Sequence, residues 1–177
     1  MMEKPVDTSP EGASCEAPSP LASPAHGSAE TRLYTFDGRF AWSGVEPQAY
    51  KPPSEDWARV IRHVLIGARG EQTTFHVRYF EIAPGGYTSL EKHQHAHVII
   101  GIRGVGRVVA GTECYELHFL DTLYIAPQTP HQLVNESDEP FGFLCLVDAE
   151  RDRPRPLDQE ELERLKRHPR TRHAVRG

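Results

Sequence analysis

Short hydrophobic segments recur between residues 58 and 148 of the chain, and Gly, Pro, Asn or Asp residues separate them. In one of them Phe75, Val77 and Tyr79 alternate with polar residues, the period of two that is typical of a strand with two different faces. The segments follow one another at intervals of roughly 8–12 residues, and no helical pattern lies between them. This pattern predicts an all-β fold, either a sandwich or a closed barrel.

The predicted strands are rich in β-branched and aromatic residues. They cover residues 60–66, 73–82, 98–103, 106–110, 114–117, 122–125, 132–134 and 141–147. Pro84-Gly85-Gly86 is predicted to form a turn after the second strand. The last strand is hydrophobic on both faces, which is typical of a central strand, and Cys145 within it is interpreted as a small buried residue rather than a nucleophile.

Three segments flank the predicted barrel. Residues 1–32 contain no Phe, Tyr, Trp or Ile, so we expect them to form a disordered tail. Residues 33–57 carry aromatic residues among Gly and Pro, and we expect an irregular arm that packs on the core, with an edge strand as the alternative. Residues 149–177 are a C-terminal extension, in which a capping-box pattern predicts a short helix over residues 159–167.

Composition and charge exclude several classes of protein. The 177 residues carry a formal net charge of −5 at pH 7, which argues against a nucleic-acid partner, because binding to phosphates needs clustered Lys and Arg. No hydrophobic run is long enough to span a membrane and no secretory signal is visible, so we expect no membrane association. The three cysteines form no C-x-x-C pair, which speaks against a disulfide framework and favours a cytoplasmic location.

The chain has ten histidines, and four of them stand apart from the rest. His93, His95 and His97 lie within five residues of one another, and His131 follows a proline. A solvated polar loop is one interpretation of such a cluster. The other is a site for a divalent transition metal, because neutral imidazole binds Fe, Mn, Ni, Co, Cu and Zn. No cysteine accompanies the cluster, which argues against a structural zinc site.

The spacing of the cluster limits which side chains can share one ion. Residues two apart on a strand point to the same side, so Glu91 and His93 could bind one metal together. Positions 93 and 97 are about 13 Å apart on an extended strand, which is too far for two ligands of one ion unless the chain bends between them. Such a bend would turn His95 elsewhere. Spacing alone leaves the ligand set open.

Two separated motifs resemble those of the cupin superfamily. Gly85, Glu91, His93, His97 and Gly104 follow the spacing of the first cupin motif, in which a metal-binding His-x-His pair and an acid lie between two glycines. Two of its residue types are exchanged here. Glu91 stands where the first histidine is usual, and His97 stands where the acid is usual.

The second cupin motif, a strand and a Pro-rich turn followed by a histidine and an asparagine, resembles the stretch with Pro127, His131 and Asn135. The resemblance covers roughly residues 58–148. It implies a small single-domain cupin of type 2, a jelly-roll β-barrel (double-stranded β-helix) with a metal at its centre. It also implies a homodimer, which is the usual assembly of small cupins.

The resemblance further implies that Glu91, His93, His97 and His131 bind the metal, with His95 in the bend as a neighbouring or alternative ligand. A register shifted by two residues would place His93 and His95 on the His-x-His pair, but it leaves Ile99 at the position of the acid. We therefore prefer the first register. It keeps three histidines and one carboxylate.

Four protein ligands on an octahedral ion leave two positions for a substrate, or for a substrate and dioxygen. We expect a metal-dependent, dioxygenase-like cupin that oxidises a small organic molecule, with an isomerase, a lyase or a non-catalytic small-ligand sensor as alternatives. No catalytic base or nucleophile is evident. Open coordination positions would favour catalysis, whereas closure by His95 would favour a structural site. The candidate pocket residues are Tyr79, Ile100, Ile102, Tyr124, Phe143 and Cys145.

Overall fold

The structure is a computed structural model that describes residues 30–177. The predicted disordered tail, residues 1–32, lies almost wholly outside the described residues. Within the described part, eleven strands form one sheet and one helix follows them. The elements are β1 (Gln48–Ala49), β2 (Ala58–Ile66), β3 (Phe75–Tyr87), β4 (Glu91–Lys92), β5 (His97–Arg103), β6 (Gly106–Ala110), β7 (Glu113–Leu117), β8 (Thr122–Ile125), β9 (His131–Val134), β10 (Phe141–Asp148), β11 (Arg155–Pro156) and α1 (Gln159–Arg167).

The sheet curls into a nearly closed barrel, as the all-β prediction required. Its main path runs β11-β4-β9-β3-β10-β5-β8, and all the strand pairs are antiparallel. At 13 residues, β3 is long enough to pair with β2, with β10 and, at its end, with β9. The remaining pair, β6 and β7, joins the path through β9.

Strand β10 lies between β3 and β5, which confirms the prediction of a central strand. Its side chains Phe141, Phe143 and Cys145 are buried and belong to the main hydrophobic core inside the barrel. Ile82 of β3 and Ile99 of β5 complete the same core from the two neighbouring strands. The core thus lies inside the barrel and is lined by β3, β5 and β10.

The predicted turn at Pro84-Gly85-Gly86 is wrong, because β3 continues through it to Tyr87. The backbone bends there without reversing, since Gly85 has a positive φ of 71°, which few other residues adopt without strain. The N–H of Gly85 donates to the carbonyl of Asn135, and the N–H of Asn135 donates to the carbonyl of Gly86. These two bonds tie the bent part of β3 to the end of β9.

The arm packs on the outer face of the barrel. Phe40 and Trp42 contact the ring of Tyr79, with ring centroids 5.7 and 5.1 Å apart. Farther along, β1 pairs with the edge of β2, so a two-residue edge strand is present within an otherwise irregular segment. The arm then leads through Tyr50 and Lys51 to the open end of the barrel.

The C-terminal extension returns to the barrel. Helix α1 covers the residues that the sequence predicted, and Asp158 and Glu161 form the capping box at its start. Lys92 of β4 forms an ion pair with Glu161. Gln132 of β9 exchanges hydrogen bonds with the backbone of Arg176, with distances of 3.0 and 2.8 Å. Among the described residues, no helix is long and apolar enough to cross a membrane.

Candidate metal centre

Three of the four predicted histidines meet at one end of the barrel. His93 follows β4, the chain bends at Gln94 and His95, and His97 begins β5. The Nε2 atoms of His93 and His97 lie 2.9 Å apart. His131 opens β9, and one ring nitrogen from each of the three side chains lies within 4.8 Å of the others. The bend is therefore what allows positions 93 and 97 to share a site.

Each of the three imidazoles is held through its Nδ1 atom. That of His93 lies 2.9 Å from the carbonyl oxygen of His95, and that of His131 lies 2.9 Å from the carbonyl oxygen of Thr129. Because a carbonyl only accepts, Nδ1 carries the proton in both rings, and each Nε2 presents a lone pair. The Nδ1 atom of His97 contacts the Sγ atom of Cys145 at 3.3 Å.

This arrangement fits a divalent transition metal. The Nε2 atoms of His93 and His97 lie 2.9 Å apart, so one divalent cation could contact both of them. Two nitrogen ligands that are each ~2.1 Å from one ion and at a right angle are ~3.0 Å apart, close to this separation. A partner that holds the far nitrogen of a metal-bound histidine is also the usual arrangement in metal sites.

Burial keeps the three rings neutral. Together with smaller contributions from the nearby His131 and His95, burial lowers the pKa of His93 from 6.5 to about 4. Burial also lowers the pKa of His97, with a smaller contribution from His131 and His93, and it lowers the pKa of His131. At neutral pH all three side chains are therefore in the unprotonated form that binds metals.

The structure places Glu91 beside this group but not within it. Glu91 is paired with His131 across β4 and β9, and it lines the same cavity. Its carboxylate accepts a hydrogen bond from Ser89 at 2.8 Å and forms an ion pair with Lys51 of the arm. Its role as a fourth ligand stays a prediction.

His95 turns away from the three converging nitrogens. Its ring stacks on that of His93 with centroids 3.6 Å apart, and its Nδ1 atom lies 2.8 Å from a carboxylate oxygen of Asp152. That carboxylate also accepts from the backbone N–H groups of Gln94 and His95, at 2.9 and 3.3 Å. The hydrogen bond from Gln94 contributes most, and together these bonds lower the pKa of Asp152 to about 2. Together with His93 and His95, Asp152 is a second possible group of metal ligands.

A cavity of about 230 Å³ opens over the three histidines. Phe143 and Cys145 line it, as the sequence predicted. Tyr79 does not, because Arg78 and Phe80 on either side of it in β3 face the cavity and the strand alternates between its two faces. Tyr79 lies instead in a second hydrophobic cluster, called the outer cluster, in which the arm packs on the barrel. Of the other predicted pocket residues, Ile102 packs in the outer cluster, Tyr124 is 63% exposed, and Ile100 does not line the cavity.

The sequence reasoning missed the charged residues of the cavity. Lys51 comes from the arm, Arg62 and Arg78 from β2 and β3, and Arg151 and Asp152 from the extension. The alternation of residues 75–79 was the sequence signal that could have identified Arg78. It places a charged side chain on one face of β3, a strand that pairs with β2 and β10. The other four residues lie far from the motifs along the chain.

Comparison with known proteins gives consistent results. The sequence model of the Cupin domain family matches residues 78–147. The chain is 37% identical over 132 residues to 1-methylthio-D-xylulose 5-phosphate methylsulfurylase of Rhodospirillum rubrum, which covers 74% of this chain and 83% of that enzyme.

Two crystal structures of other proteins are similar in fold to this chain. The first is a cupin-2 domain from Rhodospirillum rubrum, with 36% identity and a TM-score of 0.68, covering 76% of this chain and 89% of that one. The second is a cupin 2 conserved barrel domain protein from Rhodopseudomonas palustris, with 33% identity and a TM-score of 0.73, covering 84% of this chain and 100% of that one.

Proposed function

The chain belongs to the cupin superfamily, and from this premise we propose that it is a metal-dependent enzyme that acts on a small ketose-type substrate. The observation that supports catalysis is the convergence of three histidines whose neighbours are engaged elsewhere. Glu91 is bound to Lys51 and Ser89, and His95 is bound to Asp152. A metal held by three protein ligands keeps positions open for a substrate, whereas a structural site is closed.

His93, His97 and His131 would hold the metal through their Nε2 atoms. A divalent transition metal there would supply a Lewis acid for an oxygen atom of the substrate. We also propose Glu91 as a fourth ligand, for which its carboxylate would have to leave the ion pair with Lys51. The donor set of imidazoles suits Fe, Mn, Co, Ni, Cu or Zn.

The relative from Rhodospirillum rubrum suggests the class of substrate. Its name describes a xylulose 5-phosphate with a methylthio group on C1, the carbon next to the ketone. We infer that this chain removes a proton from the carbon next to a ketone, with the electron pair of that C–H bond moving to the ketone oxygen. We propose His95 as the group that receives the proton, because Asp152 holds its Nδ1 and its side chain lines the cavity.

Proton exchange with solvent tests this function without requiring a second substrate. The metal-loaded full chain is incubated with 1-methylthio-D-xylulose 5-phosphate in D₂O, and the C1 protons are followed by ¹H NMR. We expect the signal of at least one of the two C1 protons to disappear in the presence of the protein, because one base acts on one face of C1. His131→Ala should lose both the metal, by elemental analysis, and the exchange, while Glu91→Ala should lose less metal than His131→Ala.

The oxygenase that the sequence suggested is tested in the same experiment with an oxygen electrode. Full metal occupancy without exchange would contradict the proposed proton removal. If the Fe(II)-loaded protein also consumed oxygen in proportion to substrate, the oxygenase would replace the present proposal.

A further inference from the structure

Three arginines share one wall of the cavity over the histidines. Arg62 lies on β2, Arg78 on β3 and Arg151 at the start of the C-terminal extension. They are close enough to affect one another, because Arg78 lowers the pKa of both Arg62 and Arg151, although burial lowers them more. The wall therefore concentrates positive charge in a protein whose formal net charge is −5.

None of these three arginines forms an ion pair with a carboxylate among residues 30–177. Arg62 donates to the side-chain oxygen of Gln48 at 3.0 Å, and Arg78 donates to the Sγ atom of Cys145 at 3.2 Å. Arg151 contacts the Nδ1 atom of His76 at 3.0 Å. Arg151 also donates to the backbone carbonyl of Asp148. Every one of these hydrogen-bond partners is neutral in its usual form, so no ion pair compensates the positive charge, and the carboxylate of Asp148 acts on Arg151 only from a greater distance.

Two of the guanidinium groups also have unused donors. The Nε atoms of Arg62 and Arg78 are buried and have no hydrogen-bond partner. A buried donor without a partner is costly, and so is a group of like charges that is partly removed from water. Elsewhere in the described part, arginines such as Arg103 and Arg107 pair with Glu81 and Glu136. An anion bound at this wall would accept hydrogen bonds from the unused donors and neutralise the positive charge.

The arginines adjoin the metal centre through Cys145. Its Sγ atom lies 3.2 Å from Nη2 of Arg78 and 3.3 Å from Nδ1 of His97, so these two nitrogens are at most 6.5 Å apart. Glu91 and Asp152 are the carboxylates that line the cavity, and Lys51 and His95 already occupy them. One small molecule can therefore contact both the histidines and Arg78.

We propose that Arg62, Arg78 and Arg151 form a subsite for a phosphate group, so that the substrate of the centre is a small phosphate monoester. Guanidinium groups match the geometry of phosphate oxygens and form strong charge-assisted bonds with them. The proposal rests on the proposed function in that the cavity must be a substrate site. The affinity of the arginines for phosphate, however, can be measured without turnover.

The test uses inorganic phosphate as the probe and isothermal titration calorimetry of the full chain, both metal-loaded and after treatment with EDTA. We expect saturable binding at one site in both forms, since the arginines and not the metal supply it. Arg62→Met, Arg78→Met and Arg151→Met should each weaken binding by ~10-fold or more. Arg107→Met is the matched control, because Arg107 is already paired with Glu136, and it should leave binding unchanged.

Arg151→Met is the variant that we expect to disturb folding least, because Arg151 is exposed and lies after the last long strand. A second arm compares D-xylulose 5-phosphate with D-xylulose, and we expect only the phosphorylated sugar to lose affinity in the arginine variants. Binding that disappears with EDTA would place the phosphate on the metal and overturn the subsite. Equal weakening by Arg107→Met would also overturn it.

The two proposals fail in different ways. Phosphate binding that depends on the arginines, together with an absence of C1 exchange, would support the subsite and contradict the proposed function. C1 exchange without phosphate binding, and with equal affinity for both sugars, would support the function and contradict the subsite.

Discussion

Asn135 follows directly after β9, the strand that begins with His131, and its side chain is the best-connected polar group in the described part of the core. It is fully buried. Its Nδ2 atom donates to the carbonyls of Ile82 and Glu139, both at 2.8 Å, and its Oδ1 atom accepts from the N–H and the hydroxyl of Ser137 at 2.9 and 2.7 Å. Asn135→Ala removes all four bonds.

The cost follows from these contacts. At about 1 kcal/mol for each hydrogen bond, four bonds amount to ~4 kcal/mol, and the buried carbonyl of Ile82 loses a partner. Because water can reach the exposed Glu139, we expect a loss of ~3–5 kcal/mol in the free energy of unfolding. For a chain of this size that lowers Tm by roughly 10 °C.

Urea denaturation of the EDTA-treated protein is the appropriate assay, since bound metal would add its own stabilisation. Ser137→Ala is the matched control, because it removes only the hydroxyl and should cost about 1 kcal/mol or less. A loss below ~1 kcal/mol in Asn135→Ala, or an equal loss in both variants, would refute the reasoning that the amide group anchors the end of β9.

Two further predictions concern the metal centre. Cys145→Ala should lower metal affinity by ~10-fold, because Nδ1 of His97 loses its partner, while Cys145→Ser should lower it less; competition with a coloured chelator measures both, and equal losses would point to packing instead. In the metal-free protein, stability should decrease as the pH falls from 6.5 towards 4, because His93 takes up its proton at about 4 when folded and at about 6.5 when unfolded. Urea midpoints measure this, His93→Gln should reduce the slope, and a midpoint independent of pH would contradict it.

The elements that sequence patterns predicted well are those that local patterns determine. β10 was recognisable because residues 141–147 are hydrophobic on both faces, and α1 because its capping box marks its start. The course of β3 through Gly85 could not be predicted in this way. It depends on hydrogen bonds to Asn135, which is distant along the chain.

In the metal centre, too, the residues that local patterns mark were predicted and their distant partners were not. The three histidines that meet were identifiable from their spacing and from the two motifs, because these place them next to strand ends. The partners of the neighbouring groups were not. Lys51 reaches Glu91 from the arm, and Asp152 reaches His95 from the extension, and no local pattern relates these residues to the motifs. The sequence predicts the ligands better than it predicts what surrounds them.

These contacts bear on the division of the chain into a barrel, residues 58–148, and flanking segments, which stays a prediction. β11 pairs with β4, and Glu161 of α1 pairs with Lys92, so the extension supports the chain just before His93. The relative from Rhodospirillum rubrum matches 74% of the chain, whereas residues 58–148 are about half of the 177 residues. The similarity therefore extends well beyond the barrel segment, and the arm and the extension of this chain contribute side chains to the cavity.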